Sequence, residues 1–159
     1  MKFYSPYHYQ KSCEDMFNLY QPLFAKSLPT ARMEHVGASS IAGAISKGDL
    51  DIYVEVTLDE MDNATKKLLE LGFVEKKDTL RTLELCMLEA GNGDDIAVQL
   101  VAKDSEFEFF LHFRDALNDH KTLVEQYNQL KSKFEGKSQA SYRTAKSQFI
   151  EQVLMCRRI

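Results

Sequence analysis

Apolar residues recur along this chain with two periods, and the switches between them mark out its elements. Met16, Phe17, Tyr20 and Phe24 sit at helical spacing, so residues 12–27 read as an amphipathic helix that Pro29 closes. Residues 31–36 read as a short strand. Residues 40–46 are small and suit a single helical turn. From 49 to 56 the pattern alternates: Leu50, Ile52, Val54 and Val56 point one way, and Asp49, Asp51, Tyr53 and Glu55 the other. That is a strand with one buried face, on which Glu55 reads as solvated. Thr57 and Glu60 have capping-box spacing, and Leu58, Met61, Ala64, Leu68 and Leu71 form the stripe of the helix that follows. Gly72 suits the position just past its end.

Three strands follow: 73–75, 80–88 and 95–102, the last two joined through Asn92-Gly93, a strong hairpin signal. From Ser105 onward the period is helical, with Leu123, Tyr127, Leu130 and Phe134 on one helix and Tyr142, Ala145, Phe149, Val153 and Cys156 on the last. The order α-β-(short α)-β-α-β-β-β-α-α-α predicts an α+β fold. Its mixed sheet spans about residues 30–102, and a C-terminal helical cluster about 105–159.

The chain has 159 residues, enough for one domain with a real core, and a single domain over 1–159 is expected. No apolar run approaches the ~20 residues that cross a bilayer, and the first residues lack a signal peptide's apolar stretch. Cys13, Cys86 and Cys156 are widely spaced with no zinc pattern, which suits free thiols in the cytoplasm. The net charge of −4 is unevenly spread. From Asp119 onward eight Lys or Arg face four acids, so that part is +4 and the remainder −8. A chain this acidic overall is a poor partner for duplex nucleic acid. A basic C-terminal part over an acidic body suits a phosphate-bearing small molecule, although lysines on wet helix faces give the same count.

Asp49 and Asp51 carry the most chemical information. On one strand face their Cα atoms lie roughly 6–7 Å apart. Two carboxylates with charges ~5 Å apart repel by about 3 kcal/mol at an effective dielectric of 20. A divalent cation turns that cost into attraction, and Mg²⁺ favours one or two carboxylates with waters and substrate phosphate oxygens. Gly37, Ser39 and Ser40 just upstream form a turn able to hold phosphate with backbone N–H groups and hydroxyls. The other reading of Asp-x-Asp is a solvated strand face. If the metal reading holds, both aspartates should rim the largest polar cleft, with residues 37–40 facing them and Lys131 or Lys146 lining it from the C-terminal helices.

Three segments make the chain resemble the GrpB family, also called UPF0157 or glutamate-rich protein, within the nucleotidyltransferase superfamily. Residues 34–43, from Glu34-His35-Val36-Gly37 to Ala42-Gly43, are similar to that family's HVGSTSVPGL. Lys47-Gly48-Asp49-Leu50-Asp51-Ile52 is similar to its KPIIDI. Phe113-Arg114-Asp115-Ala116-Leu117, His120, Tyr127, Leu130-Lys131, Tyr142 and Lys146 are similar to its FRDYLRxHP, YxxLK and YxxxK.

The resemblance implies a nucleotidyltransferase-like mixed sheet with flanking helices. It also implies transfer of a nucleoside monophosphate from an NTP to an acceptor, with Mg²⁺ on Asp49 and Asp51. Lys47, Lys131, Lys146 and His120 join Gly37, Ser39 and Ser40 as nucleotide or phosphate contacts. Departures from the pattern count too. Ala38 replaces a serine, Ala42 and Gly48 replace prolines, and Asp49 stands where relatives often carry an apolar residue. The plausible place for the superfamily's third carboxylate holds Gln99, and an amide is no general base. That departure, with the family's fusion to dephospho-CoA kinase, supports an alternative: a non-catalytic nucleotide- or coenzyme-A-linked binding module, or an interaction domain.

Overall fold

In the computed structural model, which describes residues 1–157, the chain builds a five-stranded mixed sheet covered by helices on both faces. Arg158 and Ile159, the end of the expected helical cluster, lie outside the described residues. Helix α1 (Pro6–Ser27) leads to strand β1 (Arg32–Val36), and a 3-10 turn (Ala38–Ser40) and an irregular stretch lead to β2 (Leu50–Val56). Then come α2 (Met61–Glu70), β3 (Phe73–Glu75), β4 (Leu85–Ala90) and β5 (Ile96–Ala102). Helices α3 (Phe109–Asp119), α4 (Lys121–Phe134) and α5 (Gln139–Arg157) complete the chain.

The spatial order is β1-β2-β5-β4-β3. Only the central pair, β2 and β5, is parallel, with Leu50 opposite Ile96 and Asp51 opposite Ala97. The alternating residues Leu50, Ile52, Val54 and Val56, with Ile96, Val98 and Leu100, pack against Tyr9, Cys13 and Phe24 of α1 and Met61, Ala64 and Leu68 of α2. This continuous apolar layer is the main driving term for the fold. The other face is closed by Phe107 and Leu111, which cover Val36, Tyr53, Leu85 and Val101. A third cluster joins the C-terminal helices to the irregular stretch: Ile41 and Ala44 pack among Phe113, Leu117, Val124, Tyr127 and Val153.

Several local expectations change. Helix α1 starts at Pro6, not residue 12, because Ser5 is its N-cap and proline fits the first turn, where its missing N–H costs nothing. It runs through Pro22 to Ser27. Residues 40–46 form no helical turn of their own; the 3-10 turn ends at Ser40. The Thr57 side chain makes no cap, a 3-10 turn (Leu58–Glu60) intervenes, and Leu58 is exposed. Strand β4 begins at Leu85, leaving Leu80 and Leu83 in solvent. Glu55 is buried, not solvated, and accepts a 2.8 Å hydrogen bond from the Tyr53 hydroxyl. Alternation showed one apolar face of β2, but it could not show that α3 would roof the other.

Candidate functional site

The path from β1 to β2 begins at Gly37, whose φ is +74°. Glycine is required there twice over. The positive φ disfavours a side chain, and a Cβ would collide with the Asp51 carboxylate. The turn and Asp51 are therefore in contact. Within the turn the Ser40 hydroxyl donates to the Gly37 carbonyl at 2.7 Å. Ser39, buried, shares a 2.7 Å hydrogen bond with His35 Nε2, and the His35 ring stacks on Phe17 with centroids 5.2 Å apart.

Beyond the 3-10 turn at its start, the stretch from 38 to 46 lacks regular structure, so its backbone groups must find other partners. Side chains from three helices supply them. Tyr9 donates to Ala44 O at 2.7 Å and Gln10 to Ile41 O at 2.7 Å. Asn118 accepts from Ala42 N and donates to Ser40 O, both at 3.1 Å. Asn128 accepts from Ile45 N at 2.9 Å and donates to Gly43 O at 2.8 Å. Lys131 Nζ donates to Ile45 O at 2.5 Å. At the far end, Ser46 pairs with Tyr4 as an isolated antiparallel bridge.

Asp51 lies within β2 and is half-buried, and Asp49 stands just before the strand. Gln99 Nε2 donates to Asp51 Oδ1 at 3.2 Å, while Gln99 Oε1 is buried without a partner. Burial, then repulsion from Asp49, pushes the Asp51 carboxyl up to about 6, against the pull of Lys146, Gln99 and Lys76. The parallel register sets Asp95 beside Asp49 at the starts of β5 and β2, and Leu50 N donates to Asp95 O at 3.0 Å. Asp95 is raised by burial and by Asp49, with Lys47 and Lys76 opposing. A recess of about 340 Å³ opens here, lined by Asp49, Asp95, Lys47 and Lys76 among others.

Lys146, half-buried on α5, reaches Asp51 electrostatically. Lys131 is in the same neighbourhood but spent: it is 2 % exposed, its Nζ lies 4.0 Å from the Tyr127 ring centre, and it is bonded to Ile45 O. Burial, then the charge of Lys146, lowers it to about 7.

A wider cleft, about 640 Å³, lies on the other side of the turn. Ser39, Ser40, His35 and Arg114 line it, and neither aspartate does. The expectation that both aspartates would rim one polar cleft with residues 37–40 facing them differs from the structure: Gly37 touches Asp51, whereas Ser39 and Ser40 line the other cavity. His120 is exposed at the α3–α4 joint and lines neither cavity. Arg114 is held by Glu34 at 2.9 Å, Asp115 at 3.0 Å and the His35 carbonyl at 3.0 Å.

Sequence reading missed Asp95, Lys76, Asn118 and Asn128. Asp95 could have been found by noting that it precedes β5 as Asp49 precedes β2; the two asparagines leave no signal short of the fold. Among the described residues no group of three His, Cys, Asp or Glu stands close enough to hold a metal ion. No helix in them is long and apolar enough to cross a membrane.

The family model for GrpB protein matches residues 7–155. A UPF0157 protein of Vibrio cholerae is 54 % identical over 154 residues, covering 97 % of this chain and 82 % of that protein. The crystal structure of the conserved protein GrpB from Enterococcus faecalis superposes with a TM-score of 0.79 at 16 % identity, covering 99 % of this chain and all of that one. The Cid1 poly(U) polymerase bound to MgGTP superposes with a TM-score of 0.53 at 13 % identity, over 76 % of this chain and 39 % of that one. At these identities the two structures speak to fold alone, and the fold is nucleotidyltransferase-like.

Proposed function

This chain belongs to the GrpB protein family, and we propose that it is a Mg²⁺-dependent nucleotidyltransferase that moves a nucleoside monophosphate from an NTP to an acceptor. The observation that carries this reading is the contact between the Gly37 turn and Asp51, beside lysines from three different parts of the chain.

The donor set fits the metal. Asp49 and Asp51 would hold Mg²⁺, and the orphaned, buried Gln99 Oε1 offers an acceptor for the hydrogens of a metal-held water. Bound there, Mg²⁺ supplies charge neutralisation for the triphosphate. The chain's own groups do the rest. Gly37 lets the turn's backbone approach the phosphates, and Lys146, Lys47 and Lys76 anchor them. Gln99 Nε2 holds Asp51 in a fixed orientation. Lys131 acts through the backbone, fixing Ile45 and with it the approach to Asp49. Free thiols at Cys13, Cys86 and Cys156 accord with our placing the activity in the cytoplasm.

A second reading has its own support. The amide of Gln99 and the absence, among the described residues, of a three-carboxylate group favour a module that binds nucleotide without transferring it. Calorimetry of ATP with Mg²⁺ tests both. Wild type should bind, and Asp51→Asn should lose most of that binding while its circular dichroism is unchanged. Release of pyrophosphate in the presence of cell extract then separates transferase from binding module. Unchanged affinity in folded Asp51→Asn sinks the two-aspartate reading.

A further inference from the structure

His35, Ser39 and Ser40 belong to the family motif, yet they lie outside the nucleotide recess and line the 640 Å³ cleft. That cleft has the size of a small-molecule pocket. Within it, Ser39 Oγ and His35 Nε2 share a 2.7 Å hydrogen bond, a separation at which a base takes the proton of a nucleophile. Two further observations bear on its use. The His35 ring is stacked on Phe17 with 15° between the planes, so Nε2 stays aimed at the hydroxyl. Burial, opposed by Glu14 and aided by Arg114, lowers the His35 pKa and favours the neutral ring, which has one nitrogen free to accept. Cys13 also neighbours Ser39, but its Sγ is turned to Gly48 O at 3.5 Å and burial raises its pKa, so it stays a thiol. The hydroxyl is the group prepared to react. Among the described residues Arg114 is the only Lys or Arg lining the cleft, and Glu34 and Asp115 already hold it. A phosphate ester would enter beside Glu14 with no free cation to meet it. A carboxylic ester is uncharged and carries no such cost.

We propose that this cleft is a second active site, in which Ser39 attacks small uncharged carboxylic esters and His35 serves as the base. Ser39 Oγ bonds to the carbonyl carbon while its proton passes to His35 Nε2. The bond from that carbon to the alcohol oxygen then breaks, and the alcohol leaves with the proton from His35. An acyl group remains on Ser39. Water, giving a proton to His35, attacks the same carbon; Ser39 Oγ leaves and regains the proton, and a carboxylic acid is released. While His35 carries the proton, the charge of Glu14 favours it and that of Arg114 opposes it. Phe17 and Ala42 give the acyl chain an apolar wall. The steps draw on neither aspartate, so they hold whether or not a nucleotide binds at Asp51.

The test is hydrolysis of p-nitrophenyl acetate and butyrate, in EDTA and without nucleotide, so that the outcome does not depend on the aspartate site. Turnover should exceed that of an equal concentration of free imidazole on the order of 100-fold, and p-nitrophenyl phosphate should be left intact. A fluorophosphonate probe should bond to Ser39 with loss of fluoride. Fragmentation of the tryptic peptide 33–47 should place the adduct there, and not on Ser40 or Ser46. His35→Gln, whose amide is able to keep the hydrogen bond, should lower turnover about 100-fold with unchanged circular dichroism. Ser39→Ala should abolish both turnover and labelling. Where a variant fails to fold, the position of the adduct in the wild type decides. Hydrolysis no faster than by imidazole, an adduct elsewhere than Ser39, turnover of the phosphate, or full ester turnover in folded Ser39→Ala or His35→Gln overturns the proposal.

Discussion

Strand β2 and the stretch before it, residues 37–46, are neighbours in sequence and lie side by side in the molecule, yet they are held in opposite ways. Strand β2 is paired on both edges, to β1 and to β5, so its backbone is satisfied by a regular ladder and its side chains are free to pack or to react. The stretch has little ladder. Its carbonyls and amides are met by Tyr9, Gln10, Asn118, Asn128 and Lys131, drawn from α1, α3 and α4. The strand therefore positions Asp51 through local geometry. The stretch positions Gly37 through helices that lie up to 86 residues away in sequence. The difference predicts that the strand tolerates change and the stretch does not.

The sharpest way to break the comparison is at Gly37. Gly37→Val puts a branched side chain at positive φ and into the Asp51 carboxylate. It should cost at least about 3 kcal/mol in urea denaturation and remove nucleotide binding.

Next is Asn128→Ala. It touches no ligand in the proposed site but strips partners from Ile45 N and Gly43 O. A loss of about 1–2 kcal/mol is expected from one part-buried and one exposed hydrogen bond, with weaker ATP binding measured alongside. Unchanged stability would mean that water replaces the amide and the stretch is less dependent on α4 than argued.

The third prediction uses pH. Lys131 sits at about 7, below its ordinary 10.5, so between those values the unfolded chain holds more protons and this group's contribution to stability rises with pH. Asp51 sits at about 6, above its ordinary 3.8, so between those values the folded chain holds more protons and its contribution falls as pH rises. Together they produce a dip in stability between about pH 6 and pH 7, where both are charged. Lys131 faces Lys146, Asp49, Asp51 and Lys47, and Asp51 faces Asp49, Lys146 and Lys76, so the two slopes are coupled. Asp51→Asn should flatten the acid side of the dip and stabilise the neutral protein by about 1–2 kcal/mol, discounted for the carboxyl's remaining exposure. Lys131→Met should flatten the alkaline side. Melting temperatures across pH 4–10 read both.

The smallest effect is expected on the strand itself. Glu55→Gln keeps an acceptor for the Tyr53 hydroxyl, so stability should move by no more than about 0.5 kcal/mol and ATP binding not at all.

Much of the fold was legible beforehand, for reasons these two regions illustrate. The β2 alternation, the Asn92-Gly93 hairpin, the Gly72 helix end and the C-terminal helical stripes are signals of short range, and each element formed near its expected place. The Thr57–Glu60 capping spacing is equally local but drew no cap, because the chain took a 3-10 turn first. The nucleotidyltransferase-like fold follows from the same order of elements together with the family motifs. The chemical reading was legible in residue type but not in placement. Lys131 was identified as a cation for phosphate, and the structure turns it onto Ile45 O. His120 was a candidate contact, and it sits in solvent at a helix joint.

The sequence by itself determined the approximate places of most strands and helices, and that Asp51 stands on a strand, with Asp49 just before it, behind a glycine turn. Period, turn chemistry and the positive φ that only glycine adopts freely all act within a few residues. The tertiary structure alone decided that α3 closes the second face of the sheet over Glu55, that Asp95 stands beside Asp49, and that Lys131 is buried. It also decided that the turn separates two cavities, one lined by Asp49 and Asp95 with Lys47 and Lys76, the other by Ser39, Ser40 and Arg114. Those outcomes depend on parallel register and on helices packing from distant parts of the chain. There the desolvation of a charge or the pairing of a carbonyl is settled by whatever element arrives, not by its neighbours in sequence.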